Sequence, residues 1–197
     1  MFQFFEKLVN TYPDETPEVP PKSLREFLWA CTEGLRPYMM VVTLCAGLIG
    51  LIEALLFSMV GRIVDWLAKS EPARLWTDHS TGLLALAGVL CASLALVTVF
   101  AFFKYQVIMG NFPMRLRWNF HRLMLGQSIG FYGDEFAGRG AAKVMQTALA
   151  VRDVWMILCD ILVFIVIYFV TLVLVVGSFN AWMLVPLLGW LLLYGLT

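Results

Sequence analysis

Apolar residues in this chain run in blocks longer than the core-facing stripe of a soluble helix. Residues 38–60 contain a single charge, Glu53; residues 83–103 contain none; residues 157–176 contain only Asp160; residues 181–197 form a fourth apolar run. Each of the first three blocks can cross a hydrocarbon core of about 30 Å at roughly 1.5 Å per residue. Residues 104–155, between the second and third blocks, are polar and rich in basic side chains. Leu116, Phe120, Leu123 and Met124 nevertheless recur there at helical spacing, and residues 141–155 are good helix formers. The pattern predicts two membrane helices that continue into water as an antiparallel pair and fold back at residues 131–138. About 20 residues beyond the bilayer would project about 30 Å, more than a simple connection requires. The predicted helices cover residues 23–33, 37–67, 82–128, 138–177 and 181 to the end.

Composition agrees with an all-α integral membrane protein: of 197 residues, 60% are hydrophobic and 14% charged. Lys plus Arg and Asp plus Glu are balanced at 14 each, so net charge draws the chain toward neither nucleic acid nor an acidic partner. The distribution is more informative. Arg115, Arg117, Arg122, Arg139, Lys143 and Arg152 lie in the hairpin, which by the positive-inside rule is cytosolic together with the N-terminus. The first 36 residues lack an apolar core followed by a small-residue cleavage site, so no signal peptide is expected. Cys31, Cys45, Cys91 and Cys159 are scattered without a CxxC and read as small hydrophobes.

Smaller signals fill in the architecture. Pro13, Pro17, Pro20 and Pro21 with Asp14, Glu15 and Glu18 predict a tether without helix or strand. Ser23 and Glu26 have capping-box spacing ahead of a short helix whose Leu24, Phe27, Leu28 and Cys31 form an apolar face suited to the membrane interface. Ala46, Gly50 and Ala54 repeat every four residues and invite close approach of another helix. Glu53 flanks that stripe. It reads equally as a contact for a cationic substrate group or as a structural hydrogen bond to a neighbouring helix. Residues 68–81 read as a polar outer loop with His79 solvated, and Lys104 and Asp160, at comparable depths, read as a structural charge pair. Pro113 is expected to interrupt the outgoing helix. At the tip, Phe131, Tyr132 and Phe136 read as exposed aromatics of a docking knob, with Asp134 and Glu135 favouring the N-terminus of a very short helix.

Taken in order, these features resemble the membrane domain of ABC exporters of the multidrug and lipid-flippase type. Phe131-Tyr132 match the aromatic pair of that family's first cytosolic hairpin, Gly138 matches its glycine, and Lys143 stands where Arg is usual. Gly61-Arg62-Ile63-Val64-Asp65 is similar to the end of the family's first span, with Ser58 where proline is common; Thr147 departs from the usual Asp. The resemblance covers residues 23–197. It implies a type-1 exporter transmembrane fold, here the first three spans and part of a fourth, with residues 1–36 as tether and elbow helix and a coupling hairpin at about 104–156. It also implies that Tyr132, Gly133, Asp134, Glu135, Phe136 and Ala137 dock on a nucleotide-binding domain. The partners implied are that domain, in a missing C-terminal part of the same chain, a second half-transporter, and lipid. A bacterial inner membrane is the implied location.

No GxxxxGK[ST] loop occurs, so ATP and Mg are expected only in a longer protein and not on these residues. The apolar run ending at Thr197 stops in mid-span and reads as part of a longer chain. A haem-binding anchor would need histidines inside the spans, and His79 and His121 fall outside them. The remaining alternative is a channel or secondary transporter using Glu53 and Asp160 as an ion or proton path, which leaves the hairpin unexplained.

Overall fold

The computed structural model describes residues 5, 7–15, 17–69, 75–134, 137–179 and 181–196. Among them every regular element is a helix. In chain order these are α1 (Leu24–Cys31), α2 (Arg36–Lys69), α3 (Leu75–Ala101), a π-helical stretch (Phe102–Met109), α4 (Gly110–Leu125), α5 (Ile129–Asp134), α6 (Ala137–Met156), a second π-helical stretch (Ile157–Leu162), α7 (Val163–Phe179), a 3-10 turn (Ala181–Met183) and α8 (Leu184–Leu196). Three runs are long and apolar enough to cross a membrane: Arg36–Ala68, Asp78–Leu125 and Gly138–Ser178. The second and third, of 48 and 41 residues, exceed what a bilayer core needs.

The chain divides into two compact units. The first combines Met1–Cys45 with Thr98–Ile161. Its core is built on Leu35, Val42, Val107, Ile108 and Phe112, all fully buried, with Ala148 and Val151 contributed by α6. Helix α1 joins this core through Phe27, Leu28 and Cys31, whereas Leu24 is exposed. Phe27 stacks on Phe120 at 6.2 Å and the Trp155 indole N–H donates to the Leu28 carbonyl at 3.0 Å. Ser23 occupies the N-cap position of α1, but its side chain makes no capping hydrogen bond, so the expected capping box does not form. The α1–α2 turn is closed instead by buried Thr32, whose hydroxyl donates to the Trp29 carbonyl at 2.7 Å. At Gly34 the backbone takes φ of 78°, a conformation glycine adopts without a Cβ penalty.

The second unit combines Ala46–Val97 with Leu162–Thr197. Here the small-residue stripe of α2 is buried at Ala46, Gly50 and Ala54. A Cβ placed on Gly50 would stand 3.2 Å from the Phe164 carbonyl oxygen, so glycine is what lets α7 come this close. Large apolar side chains such as Leu84, Leu94, Ile165 and Leu174 are exposed, as expected where the surrounding solvent is hydrocarbon.

Several expectations require correction. The polar connection after the first span is shorter than residues 68–81, because α2 runs to Lys69 and helix resumes at Leu75. His79 marks a break inside α3, with φ −128° and ψ 22°. It is not a solvated loop residue: its ring stacks on Trp66 at 4.6 Å with 4° between planes. Pro113 does not interrupt α4 either; it lies buried within that helix. A proline cannot bond the carbonyl four residues back, here Met109, and Met109 is where the π-helical stretch ends.

Candidate functional site

The hairpin is formed by α4 and α6 packed against each other and joined through α5. Ser128 starts α5: the Phe131 amide donates to its carbonyl at 3.1 Å, with the hydroxyl also within 3.4 Å. The short helix therefore begins before the aromatic pair, and Asp134 lies inside it, as its last described residue, instead of at its start. Tyr132, Gly133 and Asp134 belong to α5 and Ala137 to α6; Glu135 and Phe136 lie outside the described residues. Phe131 and Tyr132 are 43% and 39% exposed and meet edge to face at 5.4 Å. The Tyr132 hydroxyl is not part of an outward knob. It donates to the Met124 carbonyl at 2.5 Å, in the last turn of α4, where helix carbonyls lack intrahelical partners.

Lys104 and Asp160 come together, with Nζ 2.5 Å from Oδ2 and side chains 19% and 13% exposed. The Lys104 ammonium also lies 5.2 Å from the Phe100 ring centroid and 5.3 Å from that of Tyr105, where the aromatic quadrupoles favour a cation. Glu53 sits half-buried on α2 in the other compact unit, beside buried Ala54. Among the described residues no cluster of His, Cys, Asp or Glu could hold a metal ion.

What the sequence reading missed is the proline-rich segment, which is no free tether. Arg115 Nη1 donates to the Asn10 carbonyl at 2.9 Å, Trp118 Nε1 to the Pro13 carbonyl at 3.0 Å, and Arg122 Nη1 to the Pro13 and Glu15 carbonyls at 3.0 and 2.9 Å. Thr11 Oγ1 and Asn111 Oδ1 are 3.1 Å apart, and Tyr12 meets the Trp118 ring edge to face at 5.5 Å. Upstream, Val9 is buried, the Tyr38 hydroxyl donates to the Leu8 carbonyl at 2.8 Å, and Phe5 stacks on Phe102 at 5.1 Å. A signal was present in the spacing. Asn111, Arg115, Trp118 and Arg122 recur at intervals of four, three and four, which places them along one face of α4. A cavity of about 160 Å³ lies where this segment meets α1 and α4, lined in part by Pro17, Pro20, Phe27, Cys31, Phe120 and Leu123. Burial pushes the Cys31 thiol up to about 11.

No protein-family model matches the chain. No solved structure matches it. The chain is similar to an uncharacterized ABC transporter ATP-binding protein of Haemophilus influenzae, with 43% identity over 196 residues. The similarity covers 100% of this chain and 32% of that relative, so the chain spans about a third of the relative's length. Identity at this level along the whole chain, in a protein with three long apolar helices, supports the ABC transporter family.

Proposed function

We propose that the chain forms the first three spans and the start of a fourth in the membrane domain of an ATP-driven exporter, working as a half-transporter with a second copy or a homologue. Its substrate is hydrophobic or amphipathic and is moved out of the cytosol. The observation that carries this reading is the α4–α6 pair, a polar continuation of two apolar helices closed by a six-residue helix. A channel or proton path has no evident use for such a hairpin. It would also need Asp160, whose carboxylate is held by Lys104.

The tip, comprising Tyr132, Gly133, Asp134, Glu135, Phe136 and Ala137, is the element that couples to a nucleotide-binding domain. The relative is named as ATP-binding, and the present residues carry no phosphate loop, so in this reading ATP and Mg are held by a part of the whole protein outside them. Nucleotide-driven closure there would move the hairpin and switch the spans between inward and outward access.

A photo-crosslinking amino acid at position 131, exposed in α5, tests this in the whole protein in its native membrane. The expected product joins the tip to the ATP-binding region, in a yield that changes with nucleotide. Crosslinking to lipid alone, with no nucleotide dependence, would overturn the coupling role.

A further inference from the structure

The contacts between the N-terminal segment and α4 have the character of a receptor and its ligand. Arg115, Trp118 and Arg122 donate to main-chain carbonyls of residues 10, 13 and 15, taken in the same order along the helix as along the segment. The eight residues of helix from Arg115 to Arg122 cover about 10 Å. A bent stretch of six residues spans a comparable distance, and the segment is bent here: the Tyr12 amide donates to Asn10 Oδ1 at 3.2 Å. Two side chains add selectivity, Tyr12 against the Trp118 ring and Thr11 at Asn111. Proline suits position 13 because its carbonyl accepts twice while its ring has no N–H needing a partner.

The site has an apolar end and a polar end. Val9 enters the core and Phe5 stacks on Phe102, while Asn10, Tyr12, Asp14 and Glu15 remain exposed. Glu15 is held by its carbonyl, so the guanidinium of Arg122 reads the backbone and does not require that carboxylate. Beyond the contacts, Glu18, Val19 and Pro20 are exposed, with Val19 at 84%.

We propose that the α4 face bearing Asn111, Arg115, Trp118 and Arg122, with the Phe102 ring on which Phe5 stacks, is a peptide-binding site, and that the segment with Phe5 and residues 7–15 is an exchangeable ligand occupying it in cis. The ligand class is an irregular peptide with an apolar residue ahead of a Thr-Tyr-Pro turn. The site reads its main-chain carbonyls and the Tyr ring, and it is indifferent to its carboxylates. This assignment does not depend on the exporter reading, since it concerns binding alone.

The test uses the whole protein with a site-specific protease sequence inserted between Glu18 and Val19. The protein is folded in the membrane, placed in nanodiscs, nicked, and incubated with a fluorescent synthetic peptide of residues 5–15. The N-terminal fragment should co-elute with the protein after nicking and then exchange for the labelled peptide. A peptide carrying Tyr12→Ala should bind at least tenfold more weakly, and one carrying Glu15→Gln within twofold of the native peptide. Because the changes are in the peptide, folding of the protein is not at issue. Loss of the fragment on nicking, retention without any exchange, or equal binding of the Tyr12→Ala peptide would each overturn the proposal.

Discussion

Lys104 Nζ lies 2.5 Å from Asp160 Oδ2, and each partner is carried by a π-helical stretch, Phe102–Met109 and Ile157–Leu162. A π turn holds more residues than an α turn and so resets which side chains face a neighbour. Within the first compact unit the ion pair ties these two stretches to each other. Removing one partner leaves a charge in a poorly solvated place, at a cost of about 2 kcal/mol after discounting the partial exposure. Lys104→Met and Asp160→Asn should therefore each lower the thermal midpoint in detergent, and the exchange Lys104→Asp with Asp160→Lys should recover more than half of the loss. If the double exchange is no better than the single changes, the pair contributes nothing specific.

Gly34 and Arg115 make a second test. With φ at 78°, any side chain at position 34 is strained, and a Cβ there would come 2.9 Å from the Arg115 guanidinium nitrogens. That guanidinium also holds the Asn10 carbonyl. Gly34→Ala is expected to cost about 1–2 kcal/mol and to speed amide exchange in residues 8–13. Unchanged exchange there would mean that Arg115 accommodates the methyl group without releasing the segment.

Two glycines of α2 should respond differently to the same substitution. At Gly47 an added Cβ meets the Cδ1 end of Ile167, which can rotate away; at Gly50 it meets the backbone oxygen of Phe164 at 3.2 Å. Gly50→Ala is therefore expected to lower stability by about 1 kcal/mol and Gly47→Ala by less, within the range of tight small-residue helix contacts. Thermal melts of the two variants side by side decide it, and equal effects would contradict the backbone approach.

Helix content and the long apolar runs were legible because hydrophobic block length is a direct physical signature, and the burial of Ala46, Gly50 and Ala54 fits small residues repeated every four positions along one helix face. What was not legible depended on partners distant in sequence. The described residues around the N-terminal prolines form neither helix nor strand, as their composition indicates, but nothing local shows that donors about 105 residues away take up the carbonyls of Asn10 and Pro13. His79 looked solvated because its stacking partner Trp66 is contributed by the preceding helix. The proline rule placed a disturbance at Pro113, whereas α4 runs through it and the irregular turns lie upstream at Phe102–Met109. At the tip, Asp134 suggested a helix start, but Ser128 supplied one earlier, while Glu135 lies outside the described residues.

Cys31 offers a pH-dependent readout outside the spans. Burial raises its thiol from 9.0 to about 11, so at pH 8 its thiolate fraction is about a hundredfold below that of an ordinary thiol. Maleimide should label Cys31 correspondingly slowly, with the rate rising tenfold per pH unit up to about pH 11. The folded protein holds this proton more tightly than the unfolded chain. The associated stability is thus fully present below about pH 9 and is lost as pH rises through about 11. Rapid labelling at pH 8 would show that the α1 face opens away from the core.

Tyr132 separates two roles that a single alanine variant would confound. Its ring is 39% exposed beside Phe131, available to a partner, while its hydroxyl is spent inside the hairpin on the Met124 carbonyl. That carbonyl also accepts the Gln127 amide at 2.9 Å and the N–H of Gly126 at the helix cap, so it holds the turn after α4. Tyr132→Phe keeps the ring and removes one of these bonds, a loss of about 1 kcal/mol confined to the tip. Faster amide exchange around residues 124–132 is expected, with substrate-stimulated ATP hydrolysis by the whole protein retained. Tyr132→Ala also removes the ring and should abolish stimulation while leaving substrate binding intact, since an aromatic anchor can supply most of the energy of a small contact. If both variants uncouple equally, the tip acts through its internal turn geometry; if neither does, docking by Tyr132 is wrong.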